Sequence, residues 1–177
     1  MKYFLTLFFL CFALSGHSQE DSAENSISYP LKVTLQNLDS AKVYNHGKSC
    51  FRNLRIKLTN TADTAFSFWI MSCNWHPFVR ITPRIAWPNF HSCDRNTPEE
   101  IILKPNEYHI LDFEYAFLKS KVLHPVQIRA GFRVVSDDLY QKIVASGRWD
   151  ARFEILHDNP KYTDKDFIWS NSVKIAF

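Results

Sequence analysis

Glycine is scarce in this chain, with four among 177 residues. Gly16, Gly47, Gly131 and Gly147 stand far apart, and none of them contributes to a glycine-rich turn of the kind that holds phosphate groups. This spacing excludes the dinucleotide-binding and P-loop classes of nucleotide enzyme.

The sequence also lacks a catalytic motif. No serine stands on a glycine elbow, and no cysteine and histidine are arranged for nucleophilic chemistry. Asp112 and Glu114 share one face of a predicted strand, and the surrounding pattern indicates that this face is solvated. We therefore expect a non-enzymatic protein without a cofactor. A hydrolase or other enzyme built from residues on several loops stays an alternative.

Long apolar runs are absent except at the beginning of the chain. Residues 3–14 are apolar apart from one threonine, follow a lysine and precede small residues, which is typical of a secretory signal peptide. We predict a signal peptide at 1–18, a flexible polar leader at 19–28 and one domain at 29–177. The run is shorter than the roughly 20 residues of a membrane-spanning helix, so we expect a periplasmic or extracellular protein without a transmembrane segment.

Charge of neither sign dominates. The formal net charge is +3, and both signs are scattered along the chain. A nucleic-acid partner needs a clustered basic surface, which this pattern does not predict. A protein or glycan ligand of unknown identity is the partner class that remains.

The clearest period of two lies between Leu54 and Cys73. Leu54, Ile56 and Leu58 alternate with polar residues, and a second alternating run covers residues 66–70. Between them, residues 60–64 offer side-chain oxygens that can reverse the chain without glycine. The pattern predicts a β-hairpin.

Similar alternation recurs along the rest of the chain, and no long helical period appears. The segments with strand character outside that hairpin are 31–35, 99–103, 111–117, 126–134, 149–155 and 173–177. Residues 139–145 could form one helical turn.

Residues 74–92 carry three prolines and are interpreted as a long insertion with short strand pieces. We predict an all-β, antiparallel two-sheet sandwich of about eight or nine strands with this proline-rich insertion, and a barrel is the alternative.

Three runs carry a resemblance to a family: LRIKLTNTADTAFSF, the turn LKPNEYHILDF and the segment WSNSVKIAF. Together they resemble small, secreted, immunoglobulin-like β-sandwich proteins of Gram-negative bacteria, over roughly Leu31 to Phe177. The resemblance implies an immunoglobulin-like sandwich and carries no functional residue over. The usual glycine of the proline-containing turn is Asn106 here, which also tolerates positive φ.

Beyond the predicted signal peptide the chain has three cysteines, Cys50, Cys73 and Cys93, so one is left over in an oxidising compartment. Cys73 and Cys93 bracket the proline-rich insertion. A bridge between them would restrict the unfolded chain by about 3 kcal/mol in the entropy model. This pair is the preferred disulfide, and a bridge from Cys50 to either of the others, or three buried thiols, are the alternatives.

Two metal sites are weaker alternatives. Cys73, His76, His91 and Cys93 offer four ligands that could close a tetrahedral zinc site instead of a disulfide. A late loop contains Asp158, Asn159, Asp164 and Asp166, but their spacing lacks the central glycine of a calcium loop.

The interval from Thr64 to Cys93 contains no carboxylate and is rich in aromatic, arginine and histidine residues. Rigid rings and guanidinium groups are enriched at contact surfaces. We therefore predict a binding module whose contact surface is the insertion 74–92. The candidate binding residues are Trp75, His76, Arg80, Arg84, Trp87 and His91. The alternative is that these rings pack the insertion onto the sandwich. A protease inhibitor presenting the same loop would use the same residues.

The cysteine arrangement makes the first testable prediction. Mass spectrometry of the exported, unreduced protein should detect a linked peptide pair containing Cys73 and Cys93, a reduced thiol at Cys50 and no stoichiometric metal. Two unlinked peptides with one co-purifying zinc would contradict the disulfide and make His76 and His91 the ligands to mutate.

Overall fold

The computed structural model describes residues 28–38, 44–46, 48–73, 75, 78–88, 97–118, 120, 124–145 and 163–176, with only the backbone for 44–46 and 88. Within these ranges the chain is mostly antiparallel β-structure, which confirms the all-β class. The predicted signal peptide, nearly all of the leader and the predicted strand 149–155 lie outside the described residues. No helix in the described part is long and apolar enough to cross a membrane.

The described residues form eleven strands and one α-helix. In chain order they are β1 Leu31–Asn37, β2 Tyr44–His46, β3 Ser49–Asn60, β4 Phe66–Met71, β5 Val79–Thr82, β6 Ala86–Pro88, β7 Pro98–Leu103, β8 Tyr108–Leu118, β9 Val126–Phe132, α1 Asp137–Ala145, β10 Ile168–Trp169 and β11 Val173–Ile175. Every strand segment predicted from alternation within the described ranges corresponds to one of these strands. The short strands β2 and β10 had no alternating signal and were missed.

The strands form three antiparallel sheets. The largest has the order β1-β3-β8-β6, with β2 also paired to β3. In the second, β9 lies between β5 on one side and β10 and β11 on the other, while β4 and β7 form a two-stranded sheet. Beyond the end of β9, the amide of Trp69 on β4 donates to the carbonyl of Val135 at 2.9 Å. This bond connects β4 to the segment that follows β9.

Alternation along β3 and β8 separates a buried face of the largest sheet from an outward face. Leu54, Ile56 and Leu58 of β3 are fully buried, as are most odd-numbered residues of β8. These side chains belong to one hydrophobic cluster that also includes residues of β4, β7 and β9. Phe68 and Phe132 meet there edge to face, with ring centroids 5.6 Å apart.

The predicted hairpin from Leu54 to Cys73 is wrong in its pairing. Both arms are strands, but β3 pairs with β1 and β8, whereas β4 pairs with β7. Both edges of β3 are therefore occupied, and residues 61–65 carry the chain from one sheet to another. The connection is an arch, because each arm forms its hydrogen bonds with other strands.

A second arch lies directly beside the first. β7 belongs to the small sheet and β8 to the largest one, and residues 104–107 connect them. The amide of Glu107 donates to the carbonyl of Lys104, and Asn106 has φ of 63°. Proline followed by a residue with positive φ is typical of a type II turn. The expectation that Asn106 tolerates positive φ is confirmed.

Asn60 joins the two arches. Its side chain is fully buried, and its amide nitrogen lies 2.8 Å from the carbonyl oxygen of Thr64 and 3.0 Å from that of Leu103. Its side-chain oxygen accepts from the amide of Ala62 at 2.9 Å. Its backbone exchanges two further bonds with the second turn, donating to the carbonyl of Glu107 and accepting from the amide of Asn106. A buried amide with all of its groups bonded stabilises both connections at once.

The interpretation of residues 74–92 as an insertion is wrong for their described part. The strand pieces are present, but β5 pairs with β9 and β6 pairs with β8, so they are regular members of two different sheets. Only the bend at residues 83–85 separates them. Proline is tolerated here because β6 is an edge strand among the described residues and the bend needs no ladder bond.

The helix α1 is longer than the single turn predicted at 139–145. The carbonyl of Ser136 accepts from the amide of Tyr140, and its hydroxyl lies 3.4 Å from the amide of Leu139. Ser136 is therefore the cap that the sequence reading did not identify. The helix packs on β4 through Trp69, whose ring stacks on Tyr140 at 3.9 Å and whose indole nitrogen donates to Asp137.

Replacing Asn60 tests its role. Asn60→Ala should lower the free energy of unfolding in urea by about 2–4 kcal/mol, because it leaves buried carbonyl groups of both arches without a donor. Asp63→Ala, at an exposed position of the same arch, is the matched control and should stay within about 0.5 kcal/mol. A cost below about 0.5 kcal/mol for Asn60→Ala would show that water replaces the amide without loss.

Candidate functional site

Trp87 is a predicted contact residue that the structure leaves exposed. It lies on β6, where it pairs with Ala116 of β8, and 40% of its surface is exposed. Across the next strand Ala116 pairs with Phe51, so the three residues form a row on the outward face of the largest sheet. Arg84 is also exposed, in the bend that precedes β6. This corner of the sheet retains the aromatic and basic character predicted for a contact surface.

Polar rows follow on the same face. Asn53 is opposite Glu114, and Arg55 is opposite Asp112. The guanidinium group of Arg55 donates twice to the carboxylate of Asp112, with both nitrogen–oxygen distances at 2.6 Å. This bidentate pair holds the pKa of Asp112 below its usual range and raises that of Arg55. The predicted solvated face of β8 therefore carries an ordered ion pair.

The far end of this face carries another exposed aromatic residue, which the sequence does not single out as a contact residue. Tyr108 is 53% exposed, and the ammonium group of Lys57 lies 3.9 Å from its ring centroid. About eight residues of β8 separate it from Ala116, which is roughly 27 Å along the strand. Tyr108 is therefore too distant to act together with Trp87 on one small ligand.

Trp75 does not belong to an exposed surface. It is 8% exposed, and its ring meets that of Phe113 edge to face at 5.2 Å. Phe113 is a core residue of β8, so the indole of Trp75 packs inside the protein. For this ring the packing alternative is the better description.

Arg80 lies in another sheet from Trp87 and has its own partners. Its guanidinium group is 3.0 Å from the carboxylate of Asp164 and lies over the ring of Phe167 at 4.2 Å. The interval 64–93 has no carboxylate of its own, but the fold places the carboxylate of Asp164 beside it. Because its guanidinium group already contacts a carboxylate and an aromatic ring of the same protein, Arg80 is better explained as a structural residue than as a ligand-binding one.

Arg80 is one end of an alternating stack on the outward face of the second sheet. Phe167 and Trp169 follow, with ring centroids 5.9 Å apart, and Arg129 lies over Trp169 at 5.1 Å. Gly131 lies beneath, where an added β-carbon would be 3.0 Å from the Trp169 ring and from Phe167. The absence of a side chain at this position lets both aromatic groups lie close to the sheet.

The cysteine predictions are tested in part. Cys50 keeps its thiol, which is buried and lies 3.5 Å from the carbonyl oxygen of Phe117, so the alternative bridges through Cys50 are wrong. No two cysteines among the described residues bond to each other. Cys93 lies outside the described residues, so its pairing with Cys73 stays a prediction.

The metal alternatives receive no support from the described residues. His76, His91 and Cys93 of the zinc alternative lie outside them, so this alternative is not tested. No group of three or more histidine, cysteine or acidic residues that could hold a metal occurs in the described part of the chain.

The late loop is described only from Thr163 onwards, so Asp158 and Asn159 of the calcium alternative lie outside it. Asp166 accepts from the amide of Thr163 at 2.6 Å and caps a short 3-10 turn, while Asp164 binds Arg80. Both described carboxylates therefore have structural partners.

Comparison with known proteins adds little. No protein-family model and no curated protein matches the chain. A solved structure of a FixG-related protein from Vibrio parahaemolyticus is similar with a TM-score of 0.42 and 9% identity, over 84% of this chain and 97% of that one. A likeness at this level supports no functional argument, so the function has to be argued from the surface itself.

The two tryptophans should differ in their effect on stability. Trp75→Ala should lower the free energy of unfolding by about 3–5 kcal/mol, since it removes a buried ring from the core. Trp87→Ala should cost less than about 1 kcal/mol, because much of this ring already contacts water. Urea unfolding of both variants, with Trp75→Phe as a conservative control, checks the contrast. Equal costs would contradict the placement of Trp75 in the core and Trp87 on the surface.

Because of the Arg55–Asp112 ion pair on the outward face, the stability of the folded protein should fall at acid pH. This fall is the acid limb of its stability profile. Because the pKa of Asp112 is lower in the folded protein than the ordinary value of 3.8, its contribution is present above that value and is lost as the pH falls through the folded pKa. Asp112→Asn should flatten this limb in thermal melts recorded between pH 5 and pH 2. An unchanged limb would show that Arg55 does not favour the ionised carboxylate.

Proposed function

We propose that this protein is a secreted, non-enzymatic binding module, in which an immunoglobulin-like sandwich is the rigid frame for a contact surface. The surface consists of Arg84 and Trp87 together with the adjoining outward face of β8 and β3. The observation that supports it best is the exposure of 40% of Trp87 on a regular strand. Tryptophan and arginine are the residue types most enriched among binding hot spots.

The surrounding structure supports this choice over the rest of the predicted interval. Trp75 is packed in the core, and Arg80 is engaged by Asp164 and Phe167. Arg84 and Trp87 differ from both because they are exposed, one in the bend before β6 and the other on β6 itself. A strand also holds a side chain more precisely than a loop does, which reduces the entropy lost on binding.

The protease-inhibitor alternative has less support. An inhibitory loop has to present several residues in extended form to a protease cleft, whereas only residues 83–85 separate β5 from β6. The amide of Ile85 donates to the carbonyl of Pro83 at 2.8 Å, so this bend is closed on itself. A three-residue bend offers too little chain to fill a cleft.

A panel of purified probes tests the proposed surface. The mature chain is titrated by calorimetry with neutral polysaccharides, acidic polysaccharides, basic and acidic peptides, and extracellular proteases. At least one non-protease probe should bind, and Trp87→Ala and Arg84→Ala should each weaken that binding at least tenfold without changing the melting temperature by more than a few degrees.

Ile102→Ala is the matched control for this experiment. Ile102 is 61% exposed on β7, in a different sheet, so its removal should leave binding unchanged. Binding that survives Trp87→Ala in full would place the contact surface elsewhere. Stoichiometric inhibition of a protease would favour the inhibitor alternative instead.

A further inference from the structure

We infer that copies of this chain associate head to tail, through a basic patch on the largest sheet and an acidic patch on the sheet of β4 and β7. Each patch combines exposed apolar surface with charges of one sign. The residues are Lys32, Lys57, Tyr108 and Ile110 in the basic patch, and Glu100, Ile102 and Asp137 in the acidic patch. The inference does not depend on Trp87, and it adds contacts between copies to the proposed function.

The basic patch lies on the outward face of the largest sheet, where β8 begins. Tyr108 and Ile110 follow each other on this face and are 53% and 38% exposed. Lys57 is opposite Ile110, and its ammonium group lies 3.9 Å from the ring centroid of Tyr108. Lys32 on β1 is two strands from Tyr108, or roughly 10 Å. In the described part of the chain neither lysine forms an ion pair, so both keep their positive charge beside the apolar side chains.

The acidic patch lies on the outward face of β4 and β7. Ile102 is 61% exposed, more than any other large apolar side chain of the described residues. Glu100 precedes it by two residues on the same face, about 7 Å away, and is opposite Trp69. The indole nitrogen of Trp69 donates to Asp137, which brings a second carboxylate to this face. The outward positions of these two strands include no lysine or arginine, so the patch is negative as well as apolar.

The two patches project away from one core on different sheets. Ile101 and Leu103 of β7 and Leu111 of β8 belong to the same hydrophobic cluster, and the residues that alternate with them point outward. One copy can therefore use its basic patch and its acidic patch at the same time. A contact between two different patches is heterologous, and it produces a row of copies unless the rotation between them closes a ring.

The distribution of charge favours this contact over the two symmetric ones. Two basic patches facing each other would bring lysines against lysines, and two acidic patches would bring carboxylates against carboxylates, whereas the mixed contact pairs opposite charges. The mixed contact also removes the apolar surface of Tyr108, Ile110 and Ile102 from water. Because the patches are small, we expect weak and reversible association, as is typical of interfaces below about 1,200 Å².

Sedimentation velocity of the mature chain tests the inference. The average sedimentation coefficient should rise with protein concentration into the millimolar range. It should fall when sodium chloride is raised from about 20 mM to about 500 mM, because salt screens exposed charges. Tyr108→Ala and Ile102→Ala should each weaken association about tenfold, the effect of losing one interface anchor.

Trp87→Ala is the matched control, because it removes an exposed aromatic ring of the same sheet roughly 27 Å from Tyr108. This variant should associate as the unchanged protein does. Association and ligand binding are therefore measured separately. Far-UV circular dichroism and melting curves should show that Tyr108→Ala and Ile102→Ala are folded, since both side chains are more than half exposed.

An equimolar mixture of the two weakened variants tests the head-to-tail geometry. Tyr108→Ala keeps an unchanged acidic patch, and Ile102→Ala keeps an unchanged basic patch. One native contact can therefore form between them, and the mixture should give a 1:1 complex more readily than either variant associates alone. Growth should stop at two copies, because both remaining patches are altered.

Three results would overturn the inference. The first is a sedimentation coefficient that does not rise at any concentration up to the millimolar range. The second is association that Tyr108→Ala weakens and Ile102→Ala leaves unchanged, which would mean that the basic patch contacts its own copy. The third is a mixture that associates no better than its two components. None of these results bears on the ligand of Trp87, so the proposed function would stand or fall by its own titrations.

Discussion

The fully buried amide of Asn60 is the interaction on which the arrangement of the sheets depends. Two arches cross between sheets at the same end of the protein, β3 to β4 and β7 to β8, and the amide bonds to carbonyl groups in both. Neither crossing contains a regular ladder that could fix its geometry. A polar group in the core is stable only when it is bonded, so any displacement of one arch relative to the other leaves part of the amide unsatisfied. This requirement specifies one relative position of the two connections.

The same arrangement explains why the sequence predicted the strands and not their partners. Alternation predicts which residues of a strand face the core, and this prediction is confirmed for β3, β4 and β8. A hairpin and an arch give the same alternation, because both place two apolar faces against one core. The difference lies in which backbone groups bond to each other, and that depends on β1 and β8, distant in sequence. The sequence around Asn60 predicts only a turn. The bonds that its side chain makes to the second turn depend on residues distant in sequence, so no local pattern indicates them.

The candidate site shows a similar limit. Trp75 and Trp87 are close in sequence and chemically identical, yet one packs on Phe113 and the other lies on the outward face of β6. Composition identified the interval as rich in contact residues, but it does not distinguish a ring that packs before β5 from one on the outward face of β6. The absence of carboxylates from the interval was also misleading, because Asp164 reaches Arg80 from far along the chain. Electrostatic surroundings are a property of the folded surface, and a sequence interval does not define them.

The two outward faces of the protein are built in opposite ways, which is the physical reason for placing the contact surface on one of them. On the second sheet, arginine and aromatic side chains alternate from Arg80 to Arg129 over Gly131, so cations lie on rings and the rings lie on backbone. A ligand there would have to replace contacts that already exist. At the β6 corner of the largest sheet, Trp87 is 40% exposed on a strand that pairs with β8. Covering its exposed part removes apolar surface from water and displaces no protein contact, so binding at this corner gains free energy that the other face has already used in folding.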